Sequence, residues 1–323
     1  KKVFLNLENS NIVNPLVTRK STISDFDNIV VNQNLKEVLI TNDISINKPL
    51  ILPKGFKLII YPGVNISLKN DGLILVQAPL FIKGDKFNEV NITSHNSARG
   101  ISVFNSNGKS HIQYTTFSGL KPNSESSINI TGAISFYNSP VEIINSKFIN
   151  SKSEDALNLV RSPFQINNSY FYNNFSDAID IDFSNGVIKN SVFEKTGNDA
   201  IDVSGSQVIL DQIDIKLSGD KGISVGENSK VKANNLDISS TFIGVASKDF
   251  SRIIIKKLGV KNTKICLAAY QKKPEYGPGF IKIEETNSGC DSNYVLEDRS
   301  SIISNGYNLI PNTESAYLDL YEL

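Results

Sequence analysis

Asp177-Ala-Ile-Asp-Ile and, 22 residues on, Asp199-Ala-Ile-Asp-Val are two copies of one phrase. The same phrase opens as Asp155-Ala-Leu-Asn-Leu, Lys221-Gly-Ile-Ser-Val, Ile243-Gly-Val-Ala-Ser and Ile265-Cys-Leu-Ala-Ala, so that the six starts step by 22 every time. A fixed period of this length marks a solenoid whose repeats bury their apolar faces on one another. Within the phrase Ile179 and Ile181, or Ile201 and Val203, alternate with polar residues, the pattern of a strand with one buried face. A second short strand precedes it, as in Tyr170-Phe-Tyr and Val192-Phe-Glu, and a third lies between, as in Gly186-Val-Ile and Gln207-Val-Ile-Leu. Three strands in about 22 residues leave no room for a helix, and the expected fold is an all-β parallel β-helix.

Asn145, Asn168, Asn190, Gln212 and Asn235 fall at matching corners, where their amides are expected to stack and bond along the axis. The regular coils run over 132–273 inside a β-helix expected at 37–290, with projecting loops at 119–128 and 271–279. Residues 1–36 read as an N-terminal cap or lead-in. Residues 291–323 read as the last coil and a C-terminal cap, since a solenoid must hide its open ends.

Composition agrees. The 323 residues include 41 Ile and 38 Asn but no Met or Trp, a β-branched and turn-forming bias rather than a helical one. Lys+Arg 33 balances Asp+Glu 33, which argues against non-specific nucleic-acid binding. No apolar run approaches the roughly 20 residues of a membrane-spanning helix. Cys266 and Cys290 are too few for a disulfide framework and leave two readings, one bridge or two buried thiols. The start at Lys1-Lys2, without Met or an apolar leader, is expected of a mature or truncated product.

The coils, the Asn corner and the phrases "SDAIDI", "GNDAIDV" and "DKGISVGE" resemble the right-handed parallel β-helices of the pectin-lyase-like superfamily. Two narrower resemblances are to polygalacturonase-type glycoside hydrolases and, in "GDKGISVGE" and "AAYQKKPEYGPG", to β-helical domains of bacterial surface proteins that accompany CotH-type kinases. In the first, Asp177 matches the acid of the family's Asn-Thr-Asp element and Asp199 the second acid of its Gly-Asp-Asp element, with Asn198 where the first acid would be. Asp220-Lys221-Gly222 stands in place of Gly-His-Gly, and Ala246-Ser247-Lys248 in place of Arg-Ile-Lys.

Because the inward residues are aliphatic, Asn158, Asp180, Asp202 and Ser224 are expected to point outward, as are Asp182, Lys248 and Tyr270. Asp177, Asp199 and Lys221, at the turn-to-strand junction, are expected to face solvent as well. Five carboxylates on two rungs ~4.8 Å apart repel one another, which raises a carboxyl towards a general acid or recruits a cation. The candidate catalytic residues are therefore Asp177, Asp199, Asp202, Lys221 and Lys248. Arg161, Asp180, Tyr270 and Lys272 are candidates for substrate binding, Arg161 alternatively pairing with Asp182. Asp180, Asp182 and Asp202 are the candidate ligands for Ca²⁺, with no cofactor otherwise required. His95 and His111 lie away from the acidic rungs, which argues against a Ser-His-Asp triad or a histidine zinc site.

The expected function is an extracellular or cell-envelope protein that binds or processes polysaccharide on this face, as a lyase, epimerase or glycoside hydrolase if it is an enzyme. The alternative is a non-catalytic structural or adhesive module that self-associates or belongs to a larger surface protein.

Overall fold

The computed structural model describes residues 19–94, 98–123 and 130–321. Residues 1–18 of the expected N-terminal lead-in, His95 and the 124–128 part of the first projecting loop lie outside these.

The chain winds into a right-handed β-solenoid of about 12 turns with a spacing of about 22 residues, and each turn contributes one strand to each of three parallel sheets. Sheet A holds the phrase strands Gly132–Tyr137, Asp155–Val160, Asp177–Asp182, Ile201–Ser204, Lys221–Gly226 and Ile243–Lys248. Their register is fixed by the 22-residue step: Asn158 lies opposite Asp180, Asp180 opposite Asp202, and Asp202 opposite Ser224. Sheet B runs from Glu37–Ile40 to Ser301–Ser304. It ends in short antiparallel pairings, Val30–Asn32 at one end and Tyr307–Asn308 at the other. Sheet C completes each coil, from Ile44–Ile46 onward.

The core is the stack of inward residues. Ile179, Ile181, Ile201 and Val203 are fully buried, each worth roughly 1.5–3 kcal/mol of apolar burial. Phe117, Phe148, Phe171 and Phe193 stack ring on ring along sheet C at centroid spacings of 5.1, 4.6 and 4.8 Å. Ile23 and Phe26 pack against the core at one end and Leu309 at the other.

The predicted corner amides are only partly continuous. Asn145, Asn168, Asn190 and Gln212 adopt φ of 51, 50, 49 and 55°, the left-handed region a corner requires, whereas Asn235 does not. Asn168 donates to Asn145, but Asn190 donates to Asn167 on the neighbouring position (2.9 Å). The longer ladder is made by serine. The N–H of Ser106 donates to Ser139 Oγ, and the pattern repeats from Ser139 to Ser162, Ser184, Ser206, Ser229 and Ser251 at 2.8–3.1 Å. Each hydroxyl from Ser139 to Ser229 in turn donates to a carbonyl two or three residues back, so a buried corner on seven coils is satisfied without water.

Cys266 and Cys290 form a disulfide with Cα atoms 5.7 Å apart, which decides between the two readings left by the sequence. It joins the paired strands Arg252–Tyr270 and Phe280–Leu296.

Candidate functional site

The outer surface of sheet A changes character along the axis. At early coils it is apolar, Ile51, Leu73, Leu75 and Phe104 being buried with Ile130. At late coils it is apolar again: Ile243, Ala246, Ala268 and Tyr270 are buried beneath Ala316 and Leu320 of the short helix Ala316–Tyr321. Between these covered patches lies a polar window holding Asp155, Asn158, Asp177, Asp180, Asp182, Asp199, Asp202 and Ser224.

The window is more deeply set than alternation suggests. Asp180, Asp182 and Asp202 are half-buried, but Asp177, Asp199 and Lys221 are only 8, 3 and 6 % exposed, which corrects the expectation that the junction residues face solvent. They act as strand-start ties. Asp177 Oδ1 accepts the Asp199 N–H (2.8 Å) and the Asn198 amide (2.7 Å), and Asp199 Oδ1 accepts the Lys221 N–H (2.9 Å). The Lys221 ammonium is held by Asp199 (3.5 Å) and by Asp220, under the Tyr321 ring at 5.3 Å.

Lys248 behaves differently. Its chain bends back across Gly226, where a Cβ would lie 2.9 Å from Lys248 Cε, and its ammonium donates to Ser224 Oγ at 2.7 Å. The charge is thereby brought from its own rung to the rung beside Asp202.

Burial dominates the electrostatics. It pushes the Asp177 carboxyl up to about 8, with the Asp199 charge adding to it. Burial also raises Asp155 to about 7 and Asp199 to about 6, the latter held down in part by Lys221. Asp180 stands well above the carboxylate range through burial and then its acidic neighbours, first among them Asp155 and Asp182. Asp182 is raised by burial and Asp202, against hydrogen bonds from Asp180 and Asn158. Lys248 is raised despite its burial, Asp202 being the largest opposing influence. Several of these carboxyls therefore hold protons near neutrality. Two acceptor atoms in the window, Asp155 Oδ2 and Asn158 Oδ1, are buried without a hydrogen-bond partner.

The candidate binding residues are scattered. Asp180 is in the window, where it accepts from Asn158 Nδ2 at 3.0 Å. The Arg161 guanidinium lies over the Phe183 ring (5.8 Å) and makes no ion pair with Asp182. Tyr270 is fully buried under the C-terminal helix, which removes it as a surface for stacking a sugar ring. Lys272 lies over the Tyr317 ring at 5.7 Å, its pKa lowered by burial and by Lys248. Among the described residues no group of three His, Cys, Asp or Glu side chains converges as a metal site, Asp180, Asp182 and Asp202 included. Asp155 and Asn158 were missed as site residues. Asp155 opens the first Asp phrase, and the 22-residue step already put it one rung before Asp177.

The family model described as "Right handed beta helix region" matches residues 155–280, the span that holds this window. No curated protein matches the chain in sequence. A mutant of the periplasmic alginate epimerase AlgG superposes with a TM-score of 0.51 at 12 % identity, covering 83 % of this chain and 84 % of that one. The catalytic domain of a GH87 α-1,3-glucanase in complex with nigerose gives 0.50 at 11 %, over 84 % of this chain and 64 % of that one. An alginate lyase from Paenibacillus sp. strain FPU-7 gives 0.46 at 11 %, over 82 and 94 %. At these identities the likeness is one of fold, a right-handed parallel β-helix. No helix in the described residues is long and apolar enough to cross a membrane.

Proposed function

We propose that the protein processes an acidic polysaccharide by acid–base chemistry in the sheet A window, outside the cell or in its envelope. The observation that carries this reading is a set of neighbouring carboxyls held at different pKa values beside one bent-back ammonium, the arrangement in which acid and base roles separate. In it Asp180 holds a proton in reach of the half-exposed surface, and the Lys248 ammonium, next to Asp202, receives a uronate carboxylate. Asp177 and Asp199 position the strands from beneath. Support also comes from β-helices of similar fold that include an alginate epimerase and an α-1,3-glucanase.

The test is product analysis on acidic polysaccharides, comparing the wild type with Asp180→Asn and Lys248→Ala. Reducing ends alone would assign hydrolysis, an unsaturated product a lyase, and inverted uronate residues an epimerase. Absence of all three with the wild type would sink the proposal for those substrates.

A second reading is a non-catalytic module of a surface assembly, favoured by the ties from Asp177 to Asp199 and from Asp199 to Lys221. In that reading the Asp ladder is structural, tying each rung to the next. A lower melting temperature for Asp199→Asn, with no product from the wild type on those substrates, would favour it over catalysis.

A further inference from the structure

A different face, that of sheet B, carries a groove of about 690 Å³, its lining drawn from strands of that sheet and the turns leading into them. It contains no acidic residue. Lys109 closes one end, and Lys230 and Lys232 the other. These lysines are exposed and make no ion pair among the described residues.

Between the lysines the outward residues are neutral except Glu142, which lies opposite Gln165 in the same column. Gln165, Val187 and Ile209 lie in register on successive rungs, with Lys232 continuing the same column, and Asn185 and Gln207 lead into Lys230 beside them. Ile209 is 44 % exposed, an open apolar floor flanked by amides. Glu142, in the adjoining shallower groove, is already bonded to His111 Nδ1 at 2.9 Å. The lysine rows are five rungs apart, about 24 Å at the usual strand spacing, so a ligand that meets both is an extended chain.

We propose that this groove binds a carboxylate- or sulfate-bearing polysaccharide chain lying along the solenoid axis. Free cations at both ends supply charge complementarity, the amides hydrogen-bond hydroxyls, and Val187 and Ile209 pack against the apolar faces of sugar rings. Single-stranded nucleic acid fits less well, since the one aromatic side chain in the lining, Phe164, is 3 % exposed and offers no stacking plane for a base. The site stands independently of any chemistry in the sheet A window, from which it is separated by the turns that carry Arg161 and Phe183.

The experiment measures binding of the full chain to alginate, to neutral dextran and to oligothymidylate by calorimetry, in low salt and at about 0.5 M salt. Alginate is expected to bind with salt-sensitive affinity and dextran not to bind. The triple variant Lys109→Ala, Lys230→Ala, Lys232→Ala is expected to bind alginate about tenfold more weakly, with an unchanged melting temperature. The corresponding triple Lys→Arg variant keeps the affinity, and so does Lys57→Ala at a lysine outside the groove and the window. The proposal is overturned if alginate does not bind, if the alanine variant binds as the wild type does, if Lys57→Ala weakens binding as much as the triple alanine variant, or if oligothymidylate binds more tightly than alginate.

Discussion

The Lys248 ammonium donates to Ser224 Oγ across the backbone of Gly226, where a Cβ at 226 would stand 2.9 Å from Lys248 Cε and push the chain aside. It makes the direction of a lysine, and not only its presence, a property of the site. Gly226→Ala is therefore expected to swing the ammonium away and to weaken uronate-oligomer binding in the window about tenfold, as Lys248→Ala does, without removing a charge. Calorimetry with a short uronate oligomer checks this, and an unchanged affinity in Gly226→Ala would show that the bend does not matter.

The buried carboxyls give stability an unusual pH dependence. Asp177 is raised in the folded chain to about 8 by burial, and Asp155 and Asp199 follow in the same direction. The folded state then binds more protons than the unfolded one, so this stabilisation is full below the unfolded pKa near 4 and is lost as pH rises through about 6 to 8. The melting temperature is expected to fall between pH 5 and pH 8.5, by about 2–4 °C for every kcal/mol lost. Asp177→Asn should flatten the slope, and a melting temperature that rises over this window would refute the assignment.

The serine ladder predicts a cost confined to one hydroxyl. Ser206 Oγ accepts the Ser184 N–H at 2.8 Å and lies 2.8–3.1 Å from the carbonyls of Ser204 and Ile181. Ser206→Ala leaves a buried N–H unpaired and should destabilise the fold by about 1–3 kcal/mol in urea titration. An exposed serine replaced in the same way serves as the control.

Reduction of Cys266–Cys290 opens a loop of sequence separation 24. It should lower unfolding stability by about 3 kcal/mol on the loop-entropy account. Double replacement by alanine, compared with the wild type with and without reductant, measures the effect, and reductant should do nothing further to the variant.

The C-terminal helix is held by Leu320 in the apolar patch and by the Tyr321 hydroxyl, which donates to the Asp220 carboxylate at 3.1 Å. Leu320→Asp should release it while the solenoid stays folded. Chymotrypsin would then cut at Tyr317 faster, and acrylamide would quench tyrosine emission that Tyr270 contributes from beneath the helix. The chain has no Trp, so that emission is readable.

The solenoid was readable because Ile179, Ile181, Ile201 and Val203 do two jobs at once, alternating at period two and recurring at period 22. The outward column from Asn158 to Asp180, Asp202 and Ser224 follows from the same arithmetic. Depth did not. A strand's first residue belongs to neither face, so nothing in the local pattern told that Asp177 and Asp199 sit beneath the window rather than on it. Nor did six residues at Ala316–Tyr321 show enough periodicity to announce a helix, although Tyr270 is buried because of it. The serines at 139, 162, 184, 206, 229 and 251 recur every 22 or 23 residues, but in turns rich in Ser and Asn a single small residue carries little contrast.

That ladder also sets the rule by which such a chain can change length. Each serine hydroxyl serves the backbone of the coil before it, so one whole coil can be removed or duplicated and the next serine arrives at the same place. Any other insertion within the 139–251 span must leave the axis as a loop. Evolution of this protein, and its redesign, is therefore quantised along the stack: reach along a polymer grows in steps of one rung, while new chemistry enters sideways at the turns.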